Sequence, residues 1–184
     1  MIRRWYNNCY MNYVSKTDRL YQINRMPKET ILILDKEPHT QWTLKTLLEG
    51  EKYIVLAVNS IERGLQNFQE FEVSCLITEF RIDDTCTHEM IRELKKRFPE
   101  LYVMMLTHEN LEEMEYRKIM GAGIDDFFLK PVSSVKILVH LKKGLRHRKT
   151  LLQKRHLEQI LNEMKTNQNI QEVPLAVGRV SNNK

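Results

Sequence analysis

Four polar side chains stand where apolar runs stop. Ile31-Leu32-Ile33-Leu34 runs into Asp35, residues 73–78 into Glu79, residues 102–106 into Thr107, and residues 126–129 into Lys130. Such runs read as strands buried on both faces. In an open parallel sheet, the crevice beyond the carboxyl ends of the strands is where ligands bind. A fold that aligns the four runs therefore gathers Asp35, Glu79, Thr107 and Lys130 at one place. Two carboxylates, a hydroxyl and a lysine point to phosphoryl chemistry, or to what remains of it.

The elements that must position these groups alternate. After residues 31–34, Pro38 suits the first turn of a helix, and Leu44, Leu47 and Leu48 supply its inner face. A strand over 53–58 follows. Asn59 or Ser60 then caps a helix carrying Ile61, Leu65 and Phe68. The run ending at Glu79 is the third strand. Met90, Ile91, Leu94 and Phe98 mark the next helix, and residues 101–106 the fourth strand. A helix over 111–120 and a strand over 126–129 come next, and a helix starts at Ser133 or Ser134 with Val135, Leu138 and Val139 inside. Strict βα alternation predicts an α/β fold, because right-handed crossovers place helices on both faces of a parallel sheet. The expectation is a doubly wound five-stranded parallel sheet of flavodoxin-like order 2-1-3-4-5. Leu141, Leu145, Leu151, Leu152, Leu157, Ile160, Leu161 and Met164 continue one apolar stripe, so the last helix is expected to outlast the domain. Gly144 weakens that helix by about 1 kcal/mol. The predicted organisation is a poorly ordered arm (1–28), a domain (29–148), a helical extension (149–166) and a flexible tail (167–184).

The net charge of +5 is unevenly spread: residues 1–28 carry +5, residues 29–141 carry −7 and residues 142–184 carry +7. An acidic body argues against nucleic-acid binding by the globular part. The basic helix around 142–155 leaves nucleic-acid binding as an alternative there. No apolar run is long enough to span a membrane. Three cysteines, Cys9, Cys75 and Cys86, show no metal-ligand spacing and read as reduced thiols of a cytoplasmic protein, with Cys75 in the core. The six histidines show no ligand spacing either.

On these residues the chain resembles the receiver domains of two-component response regulators. The resemblance covers roughly residues 29–148. Ile31-Leu32-Ile33-Leu34-Asp35-Lys36-Glu37-Pro38 looks like the family's first strand and acidic turn, and Met105-Leu106-Thr107 like its fourth strand with the switch hydroxyl. Gly123-Ile124-Asp125-Asp126-Phe127-Phe128-Leu129-Lys130-Pro131-Val132 is close to its fifth-strand motif, which implies a cis Lys130–Pro131 peptide and a switch aromatic at Phe127. The spacings agree: 44 residues from Asp35 to Glu79, 28 to Thr107 and 23 to Lys130.

Two departures bear on the chemistry that the resemblance implies. The family has a second acid after the first, which helps to hold Mg²⁺, and here it is Lys36. The phosphoacceptor aspartate is replaced by Glu79. A hard dication wants carboxylate ligands, and a nucleophile misplaced by roughly 1 Å can lose about 10²-fold in rate. The expectation is a receiver that is not an enzyme, has no cofactor, binds Mg²⁺ weakly or not at all, and acts through protein contacts without aspartyl phosphorylation. The alternative is a phosphorylation-dependent regulator in a phosphorelay. The partner implied is a sensor kinase or an effector on the face of the fourth helix, fifth strand and fifth helix. Self-association through residues 135–165 is expected from the apolar stripe. Within the site, Lys36 is expected to face Glu79 and to take the place of the metal.

Overall fold

In the computed structural model, which describes residues 28–108 and 111–170, the elements follow the predicted alternation with one addition. In chain order they are β1 (Thr30–Leu34), α1 (Pro38–Gly50), β2 (Ile54–Val58), α2 (Ile61–Glu70), β3 (Cys75–Thr78), β4 (Arg81–Ile82), β5 (Thr85–Cys86), α3 (His88–Arg97), β6 (Tyr102–Thr107), α4 (Glu113–Gly121), β7 (Asp126–Leu129) and α5 (Ser134–Ile170). The main sheet is parallel with order β2-β1-β3-β6-β7, which is the expected 2-1-3-4-5 order. The addition is an antiparallel hairpin, β4–β5. Asp83 and Asp84 turn it with φ of 48° and 59°, a left-handed pair that suits a tight two-residue hairpin. The expected arm lies outside the described residues except for Lys28, as does the tail beyond Ile170.

The sheet separates two cores. On one side α1 and α5 cover Ile31, Ile33, Ile77, Met104 and Leu106. On the other, α2, α3 and α4 cover Leu32, Leu34, Leu76, Val103 and Met105. Alternate residues of each central strand thus enter opposite cores, so the inner positions of these strands are apolar and their polar residues, Thr30, Thr78 and Thr107, stand at strand ends. Cys75 is fully buried and its thiol is pushed well up by desolvation, as fits a core position. Ser60 is the α2 cap, its hydroxyl accepting from the Arg63 N–H at 3.3 Å. Leu65 is exposed rather than inward, and α2 instead buries Gly64, where a Cβ would touch the Leu34 side chain at 3.6 Å. The next-to-last helix starts at Glu113, two residues later than expected, because Glu112 and Glu115 form a reciprocal capping box there.

α5 departs furthest from expectation. Its inward residues are Ile137, Leu141, Leu145 and Arg148, while Val135 and Val139 point outward. Gly144 is not a weak point. The Tyr102 ring lies against it, so that a Cβ would sit 2.2 Å from Cζ, and glycine permits this close approach. Tyr102 is fixed in turn, its hydroxyl donating to Asp126 and, at 3.2 Å, to the His140 carbonyl. Further along, Arg148 bonds Glu72 at 3.1 Å and Arg155 bonds Glu100 at 2.9 Å. Both glutamates precede strands, so the helix leaves the domain at the amino ends of the sheet. Among the described residues no helix is long and apolar enough to cross a membrane.

Candidate functional site

The site sits at the carboxyl ends of β1, β3, β6 and β7, where parallel pairing brings Leu34 beside Thr78, Thr78 beside Met105 and Thr107 beside Leu129. One residue beyond these pairs stand Asp35, Glu79 and Lys130. The Lys130 ammonium is the hub. It donates to Asp35 Oδ2 at 2.7 Å, to Glu37 Oε2 at 3.3 Å and to Glu79 Oε2. Lys130 and Asp35 are buried, and Glu79 keeps a narrow opening to solvent. The Lys130–Pro131 peptide is cis, as the motif implied, and the Lys130 N–H returns to the Thr107 carbonyl at 2.7 Å.

The charges shift one another in a consistent direction. Burial pushes the Asp35 carboxyl up from its ordinary value, against the lowering effect of the Lys130 ammonium and the Glu37 N–H, which Oδ1 accepts at 2.8 Å. Burial works against the Lys130 charge, but its bonds to Asp35 and Glu79 outweigh that and raise it. The Thr40 hydroxyl, at 2.7 Å, and the Lys130 charge hold Glu37 at about 2.

Lys36 is the clear exception to the expected arrangement. Its ammonium pairs with Asp83 at the hairpin turn, on the exposed rim, and not with Glu79. The left-handed turn carries Asp83 toward the β1–α1 loop, and Lys130, reaching up between the two inner carboxylates, already holds Glu79. Lys36 therefore does not stand where it was expected to replace a metal. Phe127 is half-buried and meets Tyr116 of α4 edge-on, with centroids 6.2 Å apart. Thr107 is fully buried at the end of β6.

Several residues that position the site were not singled out from the sequence. Gln41 of α1 donates to the carbonyls of Asp35 and Val58, tying together the ends of β1 and β2. Thr87, fully buried, donates its hydroxyl to the carbonyls of Glu79 at 2.9 Å and Phe80 at 3.2 Å, closing the loop that carries β4 and β5. Arg81 lies over the Phe80 ring and bonds Glu115 of α4 at 2.7 Å, joining the site loop to that helix. The readable signal was the Asp83-Asp84 pair between Arg81-Ile82 and Thr85-Cys86, which is a hairpin pattern. Beside the site, a groove of about 530 Å³ runs between α1 and α5, with Leu44, Leu47, Leu106 and Ile137 along it and Glu37 and His108 at its rim.

The family described as the response regulator receiver domain matches residues 31–142. Among curated relatives, the KDP operon transcriptional regulatory protein KdpE of Escherichia coli is 27% identical over 116 residues, 63% of this chain and 51% of that protein. The transcriptional regulatory protein CitT of Bacillus subtilis is 25% identical over 140 residues, 73% of this chain and 61% of that protein. The chain thus spans roughly half to three fifths of these two relatives. Among solved structures, a CheY-like receiver domain protein from Methanospirillum hungatei matches with a TM-score of 0.64 at 22% identity, covering 67% of this chain and 98% of that one, which shows the fold.

Proposed function

The chain belongs to the response regulator receiver family, and from that premise we propose that it is a signalling module whose protein contacts do not depend on an aspartyl phosphate. The observation that carries this reading is the occupancy of the inner carboxylates by the protein's own donors. Asp35 Oδ2, Glu37 Oε2 and Glu79 Oε2 all converge on the Lys130 ammonium. Asp35 Oδ1 and Glu79 Oε1 accept backbone N–H groups, from Glu37 at 2.8 Å and Phe80 at 3.2 Å.

The family's chemistry relies on Mg²⁺ to neutralise the incoming phosphoryl group and on an aspartate to attack it. The donor set here fits that ion badly. A hard dication in near-octahedral coordination needs carboxylate oxygens free to face it, and the position after Asp35 offers an ammonium instead of a third carboxylate. In place of the phosphoryl charge, the Glu79 carboxylate engages Lys130, which keeps the lysine drawn inward. A phosphate carries about −1.5 to −2, so Glu79 reproduces part of that charge in a permanent form. Tyr116 against Phe127 and Arg81 against Glu115 extend this fixed arrangement to α4. The partner, a kinase or an effector, is expected on the α4–β7–α5 face, where Tyr116, Met120, Leu129, Val135 and Val139 are exposed. Cytoplasmic placement belongs to the same proposal.

A phosphorylation-dependent regulator is the second reading, supported by Thr107 and Lys130 at the family's positions and by the opening above Glu79. Intact-mass analysis after incubation with acetyl phosphate and Mg²⁺ separates the two. The leading reading expects no phosphoryl adduct. An adduct on Glu79, abolished in Glu79→Gln, refutes it and establishes the second.

A further inference from the structure

The α5 helix turns one face to the domain and carries a different chemistry on the other. It spans 37 residues, and no glycine or proline interrupts it after Gly144. At about 100° per residue, Ile137, Leu141, Leu145 and Arg148 share the face packed on the sheet. From residue 142 onward, the opposite half of the circumference carries Lys142, Lys143, Arg146, Lys149, Lys154 and Lys165. Leu157, Ile160, Leu161 and Met164 continue that half, and all four are exposed. Its remaining positions are His147, Thr150 and Gln153, and the two acids of the helix, Glu158 and Glu163, fall outside it. Lys142 pairs with Glu51 at 2.6 Å, and Lys154 reaches Glu158 at 3.9 Å. Among the described residues no carboxylate pairs with Lys143, Arg146, Lys149 or Lys165.

We propose that this half of α5 lies flat on an anionic lipid surface, with its basic stretch (142–154) against the headgroup phosphates and its apolar stretch (157–164) in the boundary of the acyl chains. Charge selects an anionic partner, because the half carries six cations and no acid. The apolar row then selects among anionic partners. A nucleic acid would meet the cations with phosphates and leave Leu157, Ile160, Leu161 and Met164 in water. A bilayer interface takes both kinds of side chain: bases beside anionic headgroups, and apolar groups sunk about 5–10 Å into the headgroup–acyl boundary. The shape agrees. The domain packs on the other side of the helix, and every residue from His156 to Lys165 is exposed. From Lys142 to Lys165 the half runs about 35 Å at 1.5 Å per residue, long enough for several lipid headgroups to line it. Such a helix rests in the interface and does not cross it, and among the described residues no helix is long and apolar enough to cross. The surface begins after Val139, so the α4–β7–α5 face is left to its own partner.

Lipid binding does not depend on whether Glu79 accepts phosphate, so its test is separate from the intact-mass experiment. The full chain is sedimented with vesicles of phosphatidylglycerol and phosphatidylcholine in equal parts, and with vesicles of phosphatidylcholine alone. Binding to the mixed vesicles is expected to be at least about tenfold tighter and to weaken as salt rises. The double variant Lys143→Glu/Arg146→Glu is expected to lose at least about tenfold in affinity for the mixed vesicles. Leu157→Gln/Leu161→Gln is expected to lose about tenfold as well, with the salt dependence kept. All four positions are exposed, so far-UV circular dichroism of the free variants should match the wild type. Failure to sediment with either vesicle overturns the proposal, as does equal binding to both. Binding that Lys143→Glu/Arg146→Glu leaves unchanged also overturns it, because the contact then lies elsewhere in the chain. Wild-type affinity in Leu157→Gln/Leu161→Gln overturns the insertion of the apolar row. A duplex DNA bound more tightly than the mixed vesicles, with no loss in the leucine variant, makes nucleic acid the partner and overturns the choice of lipid.

Discussion

Replacing Lys130 with methionine keeps most of the side-chain volume and removes the one cation that Asp35, Glu37 and Glu79 share. The Lys130 side chain is 6% exposed and that of Asp35 is 4%, so water cannot fully replace the ammonium. Removing one partner of a buried pair costs about 3–5 kcal/mol; the opening above Glu79 places this variant at the lower end, near 3 kcal/mol. With a urea slope of about 2 kcal/mol/M for a domain of this size, the unfolding midpoint is expected to fall by roughly 1.5 M. The penalty also carries a pH signature. Asp35 has a folded value above its unfolded one, so its ionisation costs stability as pH rises between the two values. Lys130 has a folded value above 10.5, so its contribution is complete below 10.5 and is lost as pH rises through the folded value. Without the lysine the Asp35 carboxyl loses the ammonium that lowers it and titrates higher still, so protonation relieves it as pH falls toward about 4. Urea melts of wild type and Lys130→Met at pH 7 and pH 4.5 should therefore show a smaller gap at the lower pH. A gap that is the same at both, or below about 1 kcal/mol at pH 7, refutes the claim that the ammonium is the electrostatic hub of the site.

Gly144→Ala raises helix propensity by about 1 kcal/mol yet should destabilise the chain by about 1–3 kcal/mol, because its Cβ would meet the anchored Tyr102 ring; thermal melts decide the sign. Thr87→Val keeps the shape and removes one of two donors from each of the Glu79 and Phe80 carbonyls, which retain the Thr78 hydroxyl and the residue-87 N–H, so a loss of about 0.5–1.5 kcal/mol and faster amide exchange in the β4–β5 hairpin are expected. Arg81→Ala breaks a partly exposed pair worth about 0.2–1 kcal/mol, and should raise amide exchange in the first turn of α4 while leaving α3 unchanged.

The fold was legible because each central strand enters two cores and so must be apolar at successive inner positions, and because turn residues punctuate those runs. Residues 126–129, at the edge of the sheet, could be placed to the residue because Lys130-Pro131 closes the run at its far end. The site's inner members were legible for a related reason: parallel register alone brings Asp35, Glu79, Thr107 and Lys130 together. What could not be read was partner choice. Lys36 and Glu79 carry opposite charges and flank the same crevice, but choosing Asp83 over Glu79 required the turn geometry of the hairpin. Nor could periodicity tell which face of α5 goes inward, since Val135 and Val139 are as apolar as Ile137 and Leu141. The deciding contact, Tyr102 against a position with no side chain, leaves only a glycine as its trace.

The course of α5 has a consequence for how this protein can change over time. The helix begins beside Lys130 and, by Arg148, has reached the glutamates that precede β1 and β3. About 14 residues at 1.5 Å each separate those points by some 21 Å. Substitutions more than about 7–10 Å apart with no shared partner add without interfering. Variation in the carboxylate crevice and variation beyond Arg155 are therefore energetically independent. Either end can drift or acquire a new preference while the other keeps its own, and a mutational scan of the whole chain should sort into two blocks with little epistasis between them.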